Sequence, residues 1–221
     1  SHVMALFALW PEVYGKFLTP MPSAFGNVRH PEPPRGRSLS WNVVDACAGA
    51  GGKALALADY LEGRGRVFAY DVSNTKLQAL KRRALRWNLN NIQTRVVTSG
   101  SEEELTGQFK ASADRVLVDA PCSGWGVLRR NADIKWRQSP ESISDLPALP
   151  LRLMLAYSRL VKTDGILTFG VCTFRKEETT AVTETFAKEC PEFELIAEGY
   201  LGPGPCDGFF MAAFRRKTAS A

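Results

Sequence analysis

The sequence predicts an α/β fold, a doubly wound and mostly parallel sheet that is closed by an antiparallel hairpin. Three observations predict it. Short apolar runs alternate five times with segments of helical periodicity, which is the order of a parallel sheet with crossover helices. A glycine-rich turn joins the first run to the first helix. The last two runs, at residues 193–201 and 208–216, leave no room for a helix between them and therefore form a hairpin.

Length and composition limit the possibilities. At 221 residues the chain has room for one domain with a sizeable core. We assign residues 1–40 to a lead-in segment and residues 41–221 to that domain. The lead-in holds a short apolar helix within residues 3–17, and a linker rich in Pro, Gly and Arg follows at residues 19–37. The 28 basic and 23 acidic residues suit a phosphate-bearing partner and an ordinary, slightly basic enzyme equally well.

The five cysteines form neither the CxxC pairs of a metal site nor the framework of a disulfide-rich domain. We therefore expect a reducing compartment, which is the cytoplasm, or the nucleolus or an organelle if the source is eukaryotic. No stretch approaches the roughly 20 apolar residues of a membrane span, and the N-terminus lacks the regions of a signal peptide. We expect a monomer that binds neither a membrane nor a metal.

The first strand, at residues 41–48, enters the turn GAGGK, and the helix that follows ends at Gly63. A glycine-rich turn lets a ligand approach the backbone amides at a helix N-terminus. Close packing of the helix on the strand is the alternative reason for these glycines. The candidate cofactor-binding residues of this region are Cys47, Ala48, Gly49, Ala50, Gly51, Gly52 and Lys53.

The second strand, at residues 66–71, ends in Asp71. It lies about 20 residues after the glycine turn, where dinucleotide-type folds place an acid on ribose hydroxyls. NAD-binding proteins share this spacing, and a cap for the helix at residues 74–87 would also explain the aspartate. That helix carries the cations Lys76, Lys81, Arg82, Arg83 and Arg86. We interpret them as a solvated face, with binding of RNA phosphates as the alternative.

A third strand is predicted at residues 94–100 and a fourth at residues 115–119. The fourth strand ends in Asp119, and a stiff turn containing Pro121 and Gly124 then places the Cys122 thiol just past its carboxyl end. Sites of open α/β sheets lie at such ends.

A helix is predicted at residues 151–162, and the buried strand at residues 165–172 then ends in a second thiol, that of Cys172. The helix that follows carries Glu177 and Glu178 in its first turn, which suits the helix dipole.

Three motifs resemble those of the Sun-type, RsmB-like (NSUN-type) family of RNA cytosine-5 methyltransferases. Residues 113–137 contain DAPCSG followed by a glycine, two basic residues and DIKW, as in the fourth motif of that family. Residues 45–53, DACAGAGGK, resemble its first motif, D-x-C-A-A-P-G-G-K, with Gly49 and Ala50 in place of alanine and proline. Residues 171–179, VCTFRKEET, resemble its T-C-S segment followed by P-E-E-N.

The resemblance covers residues 41–216 and implies a Rossmann-like class I methyltransferase fold. It also implies that S-adenosylmethionine is used to methylate carbon 5 of cytosine in RNA, either ribosomal RNA or a ribosomal particle. Mapped by motif, Cys172 is the implied nucleophile and Cys122 the implied group that releases the product. Asp119 is implied in the contact to ring nitrogen 3 and in the cofactor site. Lys53 is implied to place the cofactor or the base, and its charge favours a thiolate.

Cytosine chemistry explains the two cysteines. Carbon 5 of cytosine is a poor nucleophile, and a temporary covalent bond at carbon 6 makes it enamine-like. A thiolate suits that bond because sulfur is strongly nucleophilic and leaves readily. In the strand order of a class I methyltransferase, Cys122 and Cys172 lie at one edge of neighbouring strands. A buried structural thiol is the alternative for each cysteine, and it is the preferred interpretation of Cys190 and Cys206.

Other residues are candidates for contacts with RNA and adenine. After the third strand the family commonly has an aspartate near adenine, and Ser101 stands in that place. Trp125 or Trp136 is a candidate for stacking on a base, with core packing as the alternative for Trp136. Target bases must be unpaired or extruded. Candidates for gripping the RNA backbone are Arg129, Arg130, Lys135, Trp136 and Arg137.

Two other function classes stand beside this hypothesis. A non-catalytic protein that binds RNA or assists ribosome assembly would explain the altered cofactor turn and Ser101, and it predicts weak or absent cofactor binding. A DNA cytosine methyltransferase takes its nucleophile from a Pro-Cys motif after the fourth strand, which here is Cys122. Inactivation by loss of Cys122 but not of Cys172 would identify that mechanism.

Overall fold

The computed structural model describes residues 2–9, 11, 40–98, 100–102, 106, 110–137, 148–202 and 207–218. Seven strands form one sheet: β1 (Trp41–Asp45), β2 (Gly65–Asp71), β3 (Ile92–Val96), β4 (Ala113–Asp119), β5 (Val161–Val171), β6 (Phe193–Leu201) and β7 (Phe209–Arg216). The helices of the described part are α1 (His2–Leu9), α2 (Gly52–Tyr60), α3 (Asn74–Arg86), α4 (Ile134–Arg137), α5 (Ala148–Ser158) and α6 (Thr180–Glu189). None of these helices is long and apolar enough to cross a lipid bilayer.

The strands lie in the order β3-β2-β1-β4-β5-β7-β6. Strands β1 to β5 pair in parallel, and β7 runs antiparallel to both of its neighbours, β5 and β6. The predicted doubly wound sheet with its closing hairpin is therefore confirmed. The order reverses between β1 and β4, and ligands of such sheets bind in the crevice outside the carboxyl ends of these strands.

Apolar helices cover both faces of the sheet, which is why its central strands are continuous apolar runs. One face packs against α1, α2 and α3, where Phe7 and Leu57 are fully buried. The other face packs against α5 and α6, where Phe186 is fully buried. Helix α1, the short helix expected in the lead-in, needs Gly170 in β5, since a Cβ there would lie 2.7 Å from the Met4 Cε.

Three predicted boundaries are wrong around the fifth strand. The helix expected at residues 151–162 begins earlier, at Ala148, and ends at Ser158. Lys162 already belongs to β5, because Val161 pairs with Ala113 of β4. Asp164 then adopts a left-handed conformation, with φ of 60°, and the register shifts before the apolar run begins. The strand therefore starts before its apolar pattern does.

Two further elements differ from their predicted bounds. The third strand lies at Ile92–Val96 rather than at residues 94–100, because Ile92 pairs with Val67 of β2. Helix α6 begins at Thr180, and the two glutamates expected in its first turn lie in a preceding 3₁₀ turn, Lys176–Glu178. The linker expected at residues 19–37 and Cys206 lie outside the described residues.

Candidate active site

Four residues with acidic or thiol side chains come together where the strands end. Asp45, Asp71 and Asp119 are the last residues of β1, β2 and β4, and Cys172 directly follows β5. Because these strands are parallel, their carboxyl ends meet at one edge, with Asp119 paired to Gly170 in register. The fold therefore brings three carboxylates and a thiol to the place where ligands bind such sheets.

The glycine turn after β1 is held in a fixed shape. The Ala48 amide donates to the Tyr70 carbonyl of β2 at 2.8 Å, and the Gly51 amide donates to the Ala48 carbonyl at 2.9 Å. Arg83 of α3 donates from Nη1 to the Ala50 carbonyl at 2.9 Å. One of the α3 cations thus supports the turn, whereas Lys76, Lys81, Arg82 and Arg86 are exposed.

Gly51 cannot carry a side chain in this turn. Its φ is +90°, and a Cβ would lie 2.4 Å from the Leu80 Cγ. Gly49 is also left-handed, with φ of +55°, but a Cβ there would meet nothing within 4 Å. The turn is therefore packed tightly against α3 at Gly51 and faces open space at Gly49.

Gly51→Ala is expected to destabilise the fold and to weaken cofactor binding by tenfold or more, whereas Gly49→Ala has the smaller effect. Both variants place alanine at positive φ, at a cost of about 1–2 kcal/mol, but only Gly51→Ala adds the overpacking against Leu80, about 1–3 kcal/mol more. Thermal unfolding and calorimetric titration with S-adenosylmethionine measure the two effects. Equal losses in the two variants would contradict the packing shown by the structure.

Asp71 bridges the turn and helix α3. Its Oδ2 accepts a hydrogen bond from the Gly49 amide, and its Oδ1 accepts one from the Ser73 amide, both at 2.8 Å. The cap itself is Ser73, whose Oγ accepts from the Lys76 amide. A carboxylate has about four lone-pair sites, so Asp71 can support the turn and still accept hydrogen bonds from ribose hydroxyls.

Lys53 lies between two carboxylates. Its ammonium forms an ion pair with Asp119 Oδ2, with both side chains mostly buried. Burial lowers the pKa of Lys53, but the negative charges of Asp119 and Asp45 outweigh that effect and raise it. Asp45 is fully buried, and neither of its carboxylate oxygens has a hydrogen-bond partner among the described residues.

The stability of the fold is expected to fall as Asp45 ionises. Burial raises the pKa of Asp45 from 3.8 to about 7, against the opposing effect of Lys53. Between these values the folded state keeps a proton that the unfolded state releases, so the stability present at low pH is lost as pH rises through 7. Relative to Asp45→Asn, the wild type should lose about 2–3 kcal/mol between pH 5 and pH 7. Denaturant unfolding at several pH values measures the free energy of unfolding of both proteins. If that free energy changes with pH in the same way in the two proteins, Asp45 ionises normally.

The two candidate cysteines are in direct contact. The Sγ atoms of Cys122 and Cys172 lie 3.2 Å apart. The hydrogen bond to Cys172 and burial raise the pKa of Cys122, and the same hydrogen bond lowers the pKa of Cys172 despite burial and the charge of Asp119. These shifts make Cys172 the more readily ionised of the two thiols.

Lys53 affects Cys172 less than Cys122 does. Its positive charge does lower the pKa of Cys172, but the Cys122 hydrogen bond has the largest effect and Asp119 opposes Lys53. Cys47 lies in the glycine turn, where burial and the charge of Asp45 raise the pKa of its thiol and keep it neutral.

A buried polar cluster joins the two cysteine loops, and the sequence analysis missed it. The Ser123 amide donates to Glu178 Oε1 at 2.7 Å, and its hydroxyl donates to Oε2 at 2.5 Å. Thr173 Oγ1 donates to Oε2 at 3.2 Å and lies 3.0 Å from the Ser123 hydroxyl. All three side chains are buried. The available signal was that a hydroxyl residue follows each cysteine.

Aromatic side chains stand beside the cysteine pair. The Gly126 amide donates to the Cys172 carbonyl at 2.8 Å, which fixes the turn carrying Trp125 against the Cys172 loop. The Trp125 and Phe174 rings meet edge to face, with centroids 6.1 Å apart. Phe174 is 52% exposed and Trp136 is 81% exposed. Core packing, the alternative for Trp136, is therefore excluded.

The candidate cations near these aromatics are on the surface. Arg129, Arg130 and Lys135 are exposed. Arg130 forms an ion pair with Asp207, and the Lys135 ammonium lies 5.1 Å from the centre of the Trp136 ring. Ser101, the candidate near adenine, is half-buried, and its hydroxyl donates to the Thr98 carbonyl at 2.8 Å. The side chain of Arg137 is outside the described part.

Comparison with known proteins extends these observations. A family model described as 16S rRNA methyltransferase RsmB/F matches residues 37–215. The probable ribosomal RNA small subunit methyltransferase B of Bacillus subtilis is 32% identical over 196 residues, which cover 79% of this chain and 43% of the relative. Ribosomal RNA small subunit methyltransferase B of Thermus thermophilus is 33% identical over 193 residues, 81% of this chain and 46% of the relative.

A solved structure supports the fold. The crystal structure of NSun6 from Pyrococcus horikoshii with SFG superposes with a TM-score of 0.69 over 80% of this chain and 48% of that one, at 20% identity. At this identity the likeness establishes the fold alone. The chain spans less than half the length of the curated relatives that it matches.

Proposed function

The chain belongs to the RsmB/F family of 16S rRNA methyltransferases, and on that premise we propose that it methylates carbon 5 of a cytosine in ribosomal RNA with S-adenosylmethionine. The observation that carries the proposal is the contact of the Cys122 and Cys172 sulfurs, 3.2 Å apart at the edge where ligands bind. A thiolate supported by a neighbouring thiol is what a temporary bond to carbon 6 of a pyrimidine requires.

The residues of the cofactor turn fit S-adenosylmethionine, the methyl donor of this family. The space beside Gly49 is open, and the Asp71 carboxylate next to it can accept hydrogen bonds from ribose hydroxyls. Ser101 is the proposed neighbour of adenine, since its hydroxyl oxygen can still accept a hydrogen bond. When bound, the cofactor supplies an electrophilic methyl group. Cofactor contacts are also proposed for Cys47, Ala48, Ala50, Gly51, Gly52, Lys53 and Asp119.

The first step of the proposed mechanism belongs to Cys172. Its thiolate forms a bond to carbon 6 of cytosine, and the electron pair of the 5,6 double bond becomes available at carbon 5. Ring nitrogen 3 takes up a proton from solvent in this step and returns it to solvent when the 5,6 double bond re-forms. The ion pair of Lys53 and Asp119 is the proposed contact that holds this proton at nitrogen 3. Carbon 5 can then accept the methyl group.

Cys122 completes the cycle in this mechanism. Once Cys172 is bonded to carbon, it no longer carries the charge that keeps Cys122 protonated. Cys122 can then release its proton to solvent and accept the hydrogen of carbon 5. The electrons of that carbon–hydrogen bond re-form the double bond and expel Cys172 as a thiolate. The positions of Cys172 and Cys122 in the two sequence motifs favour this division over the DNA-type mechanism.

We propose that RNA binds to a face formed by the exposed side chains of Phe174, Trp136, Arg129 and Lys135. Exposed aromatic rings offer stacking platforms for unpaired bases, and the cations neutralise phosphates. Trp125 supports this face through its contact with Phe174. The target cytosine must leave its stack to reach the buried sulfurs.

Nucleoside analysis tests the proposal. The protein is incubated with S-adenosylmethionine and either 16S rRNA or 30S subunits, and the RNA is digested and analysed by mass spectrometry. We expect 5-methylcytidine, absent when Cys172 is replaced by alanine. A different methylated nucleoside would overturn the cytosine assignment. No product from either RNA, together with no cofactor binding, would favour a non-catalytic RNA-binding or assembly role.

A further inference from the structure

Each candidate cysteine is followed by a hydroxyl residue, and both hydroxyls meet one buried carboxylate. Ser123 follows Cys122 and Thr173 follows Cys172. Glu178 accepts hydrogen bonds from the backbone and side chain of Ser123 and from Thr173. We propose that Glu178 is a positioning residue that holds Cys122 and Cys172 in sulfur–sulfur contact, an inference that rests on the proposed function for its catalytic meaning.

The environment of Glu178 indicates that its bonds serve the two loops. Its side chain is fully buried, and among the described residues no lysine or arginine forms an ion pair with it. A buried carboxylate is costly unless hydrogen bonds satisfy it. Here the hydrogen bonds come from Ser123 and Thr173. Glu177, the preceding residue, is 62% exposed and faces Arg175 instead.

The sheet does not hold the cysteine loops by itself. The ladder between β4 and β5 ends at the pair Asp119 and Gly170, and one more backbone bond joins Ala120 to Gly170. Beyond it, the Gly126 amide bonds to the Cys172 carbonyl. Between these two points, the Ser123 and Thr173 hydroxyls lie 3.0 Å apart, and Glu178 accepts hydrogen bonds from both hydroxyls and from the Ser123 amide. Loss of Glu178 therefore removes three of the hydrogen bonds that hold the Cys122 loop against the Cys172 loop.

The rate of disulfide formation between Cys122 and Cys172 reports their sulfur–sulfur contact, and it can be measured without RNA or cofactor. Diamide takes up the two electrons and two protons released when the thiols form a disulfide. Trypsin then yields a linked pair of peptides, residues 116–129 with Cys122 and residues 163–175 with Cys172, which mass spectrometry quantifies over time. Glu178→Ala, Glu178→Gln and the matched control Glu177→Ala are compared with the wild type, and methylation kcat is measured on the same preparations.

We expect Glu178→Ala to slow disulfide formation and to lower kcat by about tenfold or more, with Glu177→Ala within twofold of the wild type. Glu178→Gln should keep most of both rates. Its amide oxygen can accept from the Ser123 amide, and its NH₂ group can donate to the two hydroxyls, which both donate and accept. Rescue by glutamine distinguishes hydrogen-bond positioning from a need for negative charge.

Three results would overturn the inference. Folded Glu178→Ala could form the disulfide at the wild-type rate, or Glu178→Gln could lose as much of the disulfide rate and of kcat as Glu178→Ala does. The third is that Glu178→Ala forms the disulfide slowly but keeps the wild-type kcat. If Glu178→Ala does not fold, Thr173→Val replaces it. We expect Thr173→Val to lower the disulfide rate and kcat by about threefold, and unchanged rates would contradict the inference. A disulfide rate that depends on Glu178 in a protein that methylates no RNA would refute the proposed function and leave the positioning intact.

Discussion

Replacing Cys172 with alanine is expected to abolish methylation of ribosomal RNA, with kcat falling by roughly 10⁴-fold or more, as when other enzymes lose their nucleophile. Without the sulfur no bond forms at carbon 6, and carbon 5 stays unreactive towards the methyl donor. Transfer of tritium from labelled S-adenosylmethionine to 16S rRNA measures the loss. Cofactor binding should survive, because the turn at Gly49 and Gly51 does not depend on Cys172.

The matched control is Cys190→Ala. Cys190 is buried at the end of α6, away from the site, and burial raises the pKa of its thiol to about 11. Its replacement should cost some stability and leave the activity of the folded protein within about twofold of the wild type. Activity retained in Cys172→Ala would remove Cys172 from the reaction.

Replacing Cys122 with alanine is expected to stop the reaction after methyl transfer rather than before it. Cys172 still attacks, but the group proposed to accept the carbon 5 hydrogen is missing, so the protein stays joined to RNA. Turnover should fall by roughly 10²- to 10⁴-fold, the usual contribution of a proton-transfer group. A slowly migrating protein–RNA band on a denaturing gel would report the complex.

The double variant Cys122→Ala with Cys172→Ala is the control for that complex and should give no band. A band that persists in the double variant would show that another residue makes the bond. Loss of the band in Cys122→Ala, with full methylation in Cys172→Ala, would instead support the DNA-type mechanism in which Cys122 attacks.

Much of the sheet was predictable because β1, β2 and β4 each contain a short apolar run that ends in an aspartate. Asp71, Asp119 and Cys172 were placed correctly at one edge, since parallel strands end together. The start of β5 was not predictable in the same way. Val161 joins the sheet through backbone pairing with Ala113, and backbone pairing leaves no apolar pattern in the sequence.

The interactions within the site depend on contacts between distant parts of the chain. Glu178 bonds to Ser123, 55 residues away, and from the sequence alone it resembled a residue that favours the start of a helix. The sequence predicted that Cys122 and Cys172 lie at one edge of neighbouring strands. It did not show that Cys122 is the main cause of the lowered Cys172 pKa, because that depends on the 3.2 Å distance between their sulfurs. The roles assigned to Lys53, Asp71 and Asp119 in binding stay predictions.

The most direct test of the central claim identifies the sulfur that bonds to RNA. The covalent complex of Cys122→Ala is digested with nuclease and trypsin, and the peptide that carries a methylated cytidine is sequenced by mass spectrometry. We predict that the nucleoside is on the peptide of residues 163–175, at Cys172. The same experiment on Cys172→Ala should give no modified peptide. A cytidine on residues 116–129, at Cys122 of that second variant, would contradict the assignment of Cys172 as nucleophile.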